Sequence, residues 1–278
     1  MLKQRVITAI VLLAVLLPAL FYKTPLPFCA VALVLIGAGA WEWSRLNGSN
    51  RVTCLLWAAV CVMLCGASWA AGWLSQPLPL VWALVGAGWV LGGAYLLSQG
   101  VFGWTRISQF WRVLCGVLAL WFAWLAVAQA RFIGVEFLMS ILLLVWVADI
   151  GAYFAGRKFG GRLSRQKLAV SISPGKSWEG VWGGMLGVVL MAWVWVTFQP
   201  DGQTVFHHLQ AQHGSLIMAL AVIFLVAMSV VGDLIESLVK RSAGAKDSSG
   251  LLPGHGGVLD RVDALLPTVP LVMMLISY

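Results

Sequence analysis

The sequence predicts an all-α, polytopic membrane protein of about nine transmembrane helices, and three observations carry that reading. Apolar residues make up 61% of the 278-residue chain and charged residues only 10%. The apolar residues gather in windows of about twenty, the length a helix needs to cross roughly 30 Å of hydrocarbon. The basic residues fall almost entirely on one side of those windows.

The windows lie at about 4–22, 26–45, 53–74, 78–98, 112–130, 134–155, 179–198, 215–238 and 259–277. With the N-terminus cytoplasmic, the inner ends and loops hold Lys3, Arg5, Arg45, Arg51, Arg106, Arg112, Arg157, Lys158, Arg162, Arg165, Lys167, Lys176, Lys240, Arg241, Lys246 and Arg261. The other side holds only Lys23 and Arg131. An excess of Lys and Arg on the cytoplasmic side fixes orientation, and the odd count of windows puts the C-terminus outside. The net charge of +8 is then a property of one leaflet, suited to anionic lipid headgroups and not to nucleic acid. Residues 1–22 carry Lys3 and Arg5 ahead of an apolar run too long for a signal peptide, and read as an uncleaved first helix. The five cysteines all fall in expected helices and imply no disulfide framework.

The chain divides by its chemistry. Residues 1–131 carry little that is reactive and read as membrane scaffold, with Gly37, Gly39, Gly86, Gly88, Gly92 and Gly93 available for close helix packing. Glu42, between Trp41 and Trp43, is expected to be a solvated carboxylate beside an interfacial aromatic anchor. Residues 132–278 carry the site. About a third of all charged side chains lie between Gly232 and Asp263. Ionisable groups at a bilayer boundary are expensive, so a cluster of this density marks a functional site.

Asp233 and Glu236 share a helix face, and Lys240 and Arg241 follow one turn on. Asp260 and Asp263 repeat the three-residue spacing in the next segment, with Arg261 between them. Carboxylates offer hard oxygen ligands to a divalent cation, while Lys and Arg hold phosphate oxygens. The glycines from Gly244 to Gly257 let backbone amides approach an anion. His255, set among them, reads either as a phosphate contact and proton shuttle or as a turn residue. Upstream, Asp149 sits deep in an apolar helix and needs a cation or a wet cavity, with Tyr153 one turn on. Ser173 before Pro174 is expected to cap a helix, with Lys176 and Ser177 as a phosphate cradle and Glu179 on the inward face. His207, His208 and His213 are expected to be solvated in an outer loop.

The run Ser237-Leu238-Val239-Lys240-Arg241, Lys246-Asp247, Pro253-Gly254-His255-Gly256-Gly257 and Asp260-Arg261-Val262-Asp263 resembles the signature of the phosphatidate cytidylyltransferases, or CDP-diacylglycerol synthases. Asp149-x-x-Ala152-Tyr153, Gly156-Arg157-Lys158 and Ile172-Ser173-Pro174 through Lys176, Glu179 and Gly180 resemble the family's upstream segments. The resemblance spans about residues 145–265. Ile150 and Ala264 depart from it by lacking a hydroxyl, and Ser177 stands where Thr is commoner.

The resemblance implies CTP and phosphatidate as substrates, CDP-diacylglycerol and diphosphate as products, and Mg2+ as cofactor, with room for a second cation. It implies metal ligands among Asp233, Glu236, Asp260 and Asp263. Catalytic roles fall to Asp149, Lys176, Glu179, Lys240, Arg241, Lys246, Asp247, His255 and Arg261. Substrate contacts fall to Tyr153, Ser173, Ser177, Ser237, Gly256 and Gly257. A bacterial inner membrane, a site facing the cytoplasm, membrane lipids as partners and a homodimer complete the expectation. An ion-coupled transporter, a CDP-alcohol phosphotransferase and a polyprenyl-phosphate transferase are the competing classes. Charge gathered at one face, no detectable inverted repeat and no paired Asp-x-x-x-Asp pattern argue against the first two.

Overall fold

A computed structural model describes residues 2–164 and 167–277; Arg165 and the side chain of Lys3, both counted above on the inner side, lie outside the description. Among the described residues, seven helical spans are long and apolar enough to cross a membrane. They are α2 (Leu26–Leu46), α3 (Arg51–Ala70), the continuous pair α4 (Pro79–Ala87) and α5 (Gly93–Arg106), α6 (Gln109–Ile133), α7 (Val135–Phe159), α8 (Trp178–Phe198) and α9 (Val205–Ser242). A π-helical turn at Gly88–Gly92 joins α4 to α5. The first and last windows hold shorter pieces: α1 (Leu2–Leu20), then α10 (Leu259–Val262) and α11 (Leu265–Ile276).

Side-chain caps fix several starts. Asn50 accepts from the Thr53 amide at 2.9 Å ahead of α3, and Thr204 accepts from the His207 amide at 3.3 Å ahead of α9. That second cap overturns the expected outer loop, because the chain turns helical at Val205 and breaks only at Gly214, where φ is +81°. His207 and His208 are therefore half-buried and hydrogen-bonded; His207 bridges Thr204 and the Gln199 carbonyl. Beyond Gly214 about 28 residues of α9 remain, roughly 42 Å of helix against roughly 30 Å of hydrocarbon. Its last turns, from Glu236 to Arg241, therefore reach the polar edge.

A second correction falls between α7 and α8. Ser173 does not cap a helix: β1 (Lys167–Ala169) and β2 (Ser173–Ser177) form a small antiparallel hairpin. Proline pushes the preceding residue out of the helical region, and here that preference extends Ser173 as a strand. The helix begins four residues later, where Ser177 Oγ accepts from the Gly180 amide at 3.2 Å.

Both parts of the chain share one apolar core, in which Trp82, Trp124, Phe137 and Phe206 are among the largest fully buried side chains. Helix α5 packs on α9, while α11 packs on α4, α6 and α9. The closest pairing is α7 with α8. A Cβ on Gly184 would stand 2.7 Å from the Ala148 carbonyl oxygen, and one on Gly180 would stand 2.9 Å from that of Ala152. Where lipid supplies no hydrophobic drive between helices, such backbone approach is how they associate. Gly184→Val should therefore destabilise the purified protein by about 1–3 kcal/mol, read as a lower melting temperature in detergent. An unchanged melting temperature would contradict the close seam.

Candidate active site

The acidic and basic residues fall into two adjoining compartments at one end of the bundle. The first is a cavity of about 460 Å3 between α7, β2, α8 and α9. Asp149, Tyr153, Arg157, Lys176, Ser177 and Asp233 supply its polar wall, and Val181, Val226 and Val230 supply an apolar one. Lys176 Nζ meets Asp233 Oδ2 at 2.5 Å, with both side chains partly exposed to the cavity. Ser237 donates to Asp233 Oδ1 at 3.2 Å, and Arg157 donates to the Tyr153 hydroxyl at 2.9 Å.

The second compartment lies where the end of α9 meets the 243–258 loop and α10. Lys240 Nζ pairs with Glu236 of its own helix and donates to Asp260 Oδ1 at 2.6 Å. The other Asp260 oxygen accepts from the Ser248 amide, the Ser248 hydroxyl and the Gly257 amide, each at 2.8 Å. Burial disfavours ionisation of Asp260, yet Lys240 and the Gly257 and Ser248 amides outweigh it and lower the carboxyl to about 2. Asp260 is therefore ionised throughout the physiological range, and both its oxygens are engaged within the protein.

Asp233 and Asp263 join the compartments. Their carboxylates repel each other across the contact of α9 with the α10–α11 turn, and Asp149 repels Asp233 from the other side. The backbones nearly touch there: a Cβ on Gly232 would lie 2.4 Å from the Asp263 carbonyl oxygen.

Other expected residues sit around this pair. Arg241 donates to the Ile172 carbonyl at 3.4 Å, tying α9 to the hairpin. Lys246 and Asp247 are exposed on the loop. Arg261 grips the His255 carbonyl at 3.1 and 2.6 Å, and Nδ1 of His255 is buried without a hydrogen-bond partner. Gly256 closes a tight turn at φ +85°, its carbonyl accepting from the Leu252 amide at 2.9 Å. Ser173 and Glu179 do not line the cavity. Glu179 Oε1 instead gathers the amides of Gly161, Leu163 and Ser164 at 3.1, 3.1 and 2.8 Å, holding the loop that follows α7.

Sequence reasoning missed one carboxylate here. Glu42, expected in solvent, is 0% exposed. It accepts from the amides of Val258 at 3.0 Å and Leu259 at 2.8 Å and from the Ser249 hydroxyl. Arg45, one turn along α2, donates to the Ser248 carbonyl. From α1, Thr8 and Arg5 donate at 2.9 Å to the carbonyls of Pro253 and Gly254. Backbone partners leave no trace in composition; the one available signal was an acidic residue isolated in an apolar window.

Among the described residues, no three Asp, Glu, His or Cys side chains converge on a point that could hold a metal ion. The donor set nevertheless fits a hard divalent cation in kind. Asp233 stands between two other carboxylates, Asp149 and Asp263, and repels each. Both oxygens of Glu236 are buried, with the Lys240 ammonium as its ion-pair partner.

Fold and site together define a polytopic membrane protein that gathers lysines and carboxylates at and beside a cavity with one polar and one apolar wall. The sequence model described as "Cytidylyltransferase family" matches residues 3–278. The chain belongs to that family and is a membrane nucleotidyltransferase. It is 38% identical to a phosphatidate cytidylyltransferase of Pseudomonas aeruginosa, over 99% of this chain and 97% of the relative. It is likewise 38% identical to one of Haemophilus influenzae, over 97% and 96%. A third relative of that name, from Brucella melitensis, is 40% identical over 51% of this chain and 47% of its own length.

Among the described residues, Lys240 is the cation that pairs with both Glu236, 1% exposed, and Asp260, 8% exposed. Removing one partner of a buried pair leaves an uncompensated charge, so Lys240→Met should destabilise the protein by about 3–5 kcal/mol. Adding Glu236→Gln should restore part of that loss. Thermal unfolding of both variants in detergent checks it, and a single variant as stable as the parent would remove the lysine from this role.

Proposed function

We propose that the chain transfers the cytidylyl group of CTP to the phosphate of phosphatidate, giving CDP-diacylglycerol and diphosphate. The observation that carries this reading is the cavity of Asp149, Lys176 and Asp233, which presents a basic, hydroxyl-bearing wall beside a valine-lined one. A substrate with an anionic head and apolar tails is the chemistry that matches both walls, and the names of the two nearly full-length relatives support it.

The lipid phosphate needs no strong base, being anionic at neutral pH. One of its oxygens attacks the α-phosphorus of CTP, a new P–O bond forms, and the bond to the β-phosphate breaks to release diphosphate. The protein must hold two polyanions in line and stabilise charge as diphosphate leaves. Lys176, Arg157 and Ser177 meet one phosphate group in the cavity. Lys240, Arg241, Lys246 and Arg261, on the end of α9, the loop after it and α10, would neutralise the second. Asp233 and Asp263, where the compartments meet, would hold Mg2+, with Glu236 beside them and Asp260 engaged in keeping Lys240 in place. When bound, the cation supplies charge neutralisation between the phosphates.

The one-sided distribution of basic residues supports a site facing the cytoplasm in a bacterial inner membrane. A second copy of the chain is the proposed partner; Gly88 and Gly92, with open space beside them, would let its helices approach closely.

Purified protein given labelled CTP, phosphatidate and Mg2+ should yield a labelled lipid. Chelation of the divalent cation should stop labelling. Asp263→Asn and Lys176→Ala should each lower it by roughly 100-fold or more while the protein still enters the membrane. Labelling that persists in both variants, or needs no phosphatidate, would contradict the assignment.

A further inference from the structure

We infer that Glu42, on α2 of the N-terminal scaffold, is a positioning residue for nucleotidyl transfer: it fixes the Ser248–Leu259 loop, and the loop in turn holds Asp260 against Lys240. The inference rests on the reading of the site given above.

A carboxylate placed in an apolar helix must find donors or give up its charge. Glu42 finds them more than 200 residues away in the chain. Its two oxygens take the Val258 and Leu259 amides one each, at 3.0 and 2.8 Å. These are first-turn amides of the segment that carries Asp260 and Asp263, and no side chain of that segment's own N-cap, Val258, serves them. The segment's direction, and so the place of both aspartates, is set by a residue on a different helix.

Ser248 makes the second connection. Its side chain is 0% exposed, and its hydroxyl stands 2.8 Å from Asp260 Oδ2 and 3.3 Å from Glu42 Oε2. A hydroxyl has one proton to donate, and the shorter contact assigns it to Asp260. Arg45, also on α2, donates to the carbonyl of the same serine. The space is filled: a Cβ on Gly257 would lie 2.0 Å from Ser248 Oγ and 2.3 Å from Glu42 Oε1. Glu42 therefore anchors the loop at both ends, through the Ser249 hydroxyl and the Val258 and Leu259 amides, and the loop's Ser248 and Gly257 hold Asp260 beside Lys240.

The test is Glu42→Gln, which keeps the shape but turns one amide-accepting oxygen into a donor facing an amide. Hydrogen–deuterium exchange across residues 248–262 should quicken at least tenfold, while exchange in the membrane helices stays at the parent rate. The turnover number should fall roughly 10- to 100-fold, with KM for CTP and phosphatidate within about threefold, as expected when reacting groups are misplaced and not lost. Glu42→Asp should recover part of the turnover. Glu136→Gln is the control, since Glu136 holds the Gln203 amide at 3.2 Å at the opposite end of α7 and should leave turnover unchanged.

If Glu42→Gln fails to fold, Ser248→Ala takes the loop's hydroxyl from Asp260, leaves the residue-248 amide in place, and should lower turnover with the Val258 and Leu259 amides still protected. Parental turnover in folded Glu42→Gln, or in Ser248→Ala where Glu42→Gln cannot be made, would overturn the inference. A parent protein that makes no CDP-diacylglycerol would instead overturn the proposed function, and the exchange measurement would still report on the loop.

Discussion

The polar corner depends on the ammonium of Lys240 and the two carboxylates it serves. Glu236 and Asp260 come from helices separated in sequence by a glycine-rich loop, and both are almost wholly removed from water. Two such anions would repel each other strongly in a medium of low dielectric constant. A single shared cation makes their proximity tolerable. The position of that cation follows from helix length, because α9 after its break at Gly214 is longer than the hydrocarbon is thick and carries Lys240 to the polar edge.

From that point the site is built outward by contacts that join elements rather than extend them. Gly232 lets α9 touch the turn bearing Asp263, which brings Asp233 and Asp263 together across the two compartments. The glycine seam between α7 and α8 sets Asp149 and Tyr153 beside the Lys176 hairpin. Two buried carboxylates then serve as loop anchors: Glu179 gathers the amides after α7, and Glu42 gathers those before α10. Nucleotidyl transfer between two polyanions is mainly a matter of holding them in line, so residues that fix loops bear on the chemistry as much as residues that touch phosphate. The scaffold and the catalytic part share a core, and the buried carboxylate of Glu42 links them at the site itself.

Much of this was legible in the chain. Charged residues stand out against a sequence that is 61% apolar, so Asp149, Asp233, Lys240, Asp260 and Asp263 identified themselves by being costly where they are. Seven of the nine expected windows returned as long apolar helices, since a lipid-embedded helix must satisfy its own backbone and cover itself with apolar side chains. What was not legible depends on partners distant in sequence or on backbone groups. Glu42 looked solvated because its donors are amides and serines more than 200 residues later, and amides carry no sequence signature. The Ser173-Pro174 pair suits a helix start and a strand equally, and the pairing of Lys167 with Ser177 decided it. Glu179 was expected to face substrate; helical periodicity places a residue on a face but does not say which loop folds back onto it.

The central proposal is that aspartates from α9 and the last helical segment meet at the junction of two compartments that between them hold the nucleotide and the lipid phosphate. Its most direct test is an anomalous-scattering map from crystals grown with Mn2+ and a non-hydrolysable CTP analogue. A peak within about 2.5 Å of carboxylate oxygens of Asp233 and Asp263, with the triphosphate beside Lys240 or Lys176, is the expected result. A Mn2+ peak bound away from both aspartates, with the nucleotide outside the two compartments, would contradict it.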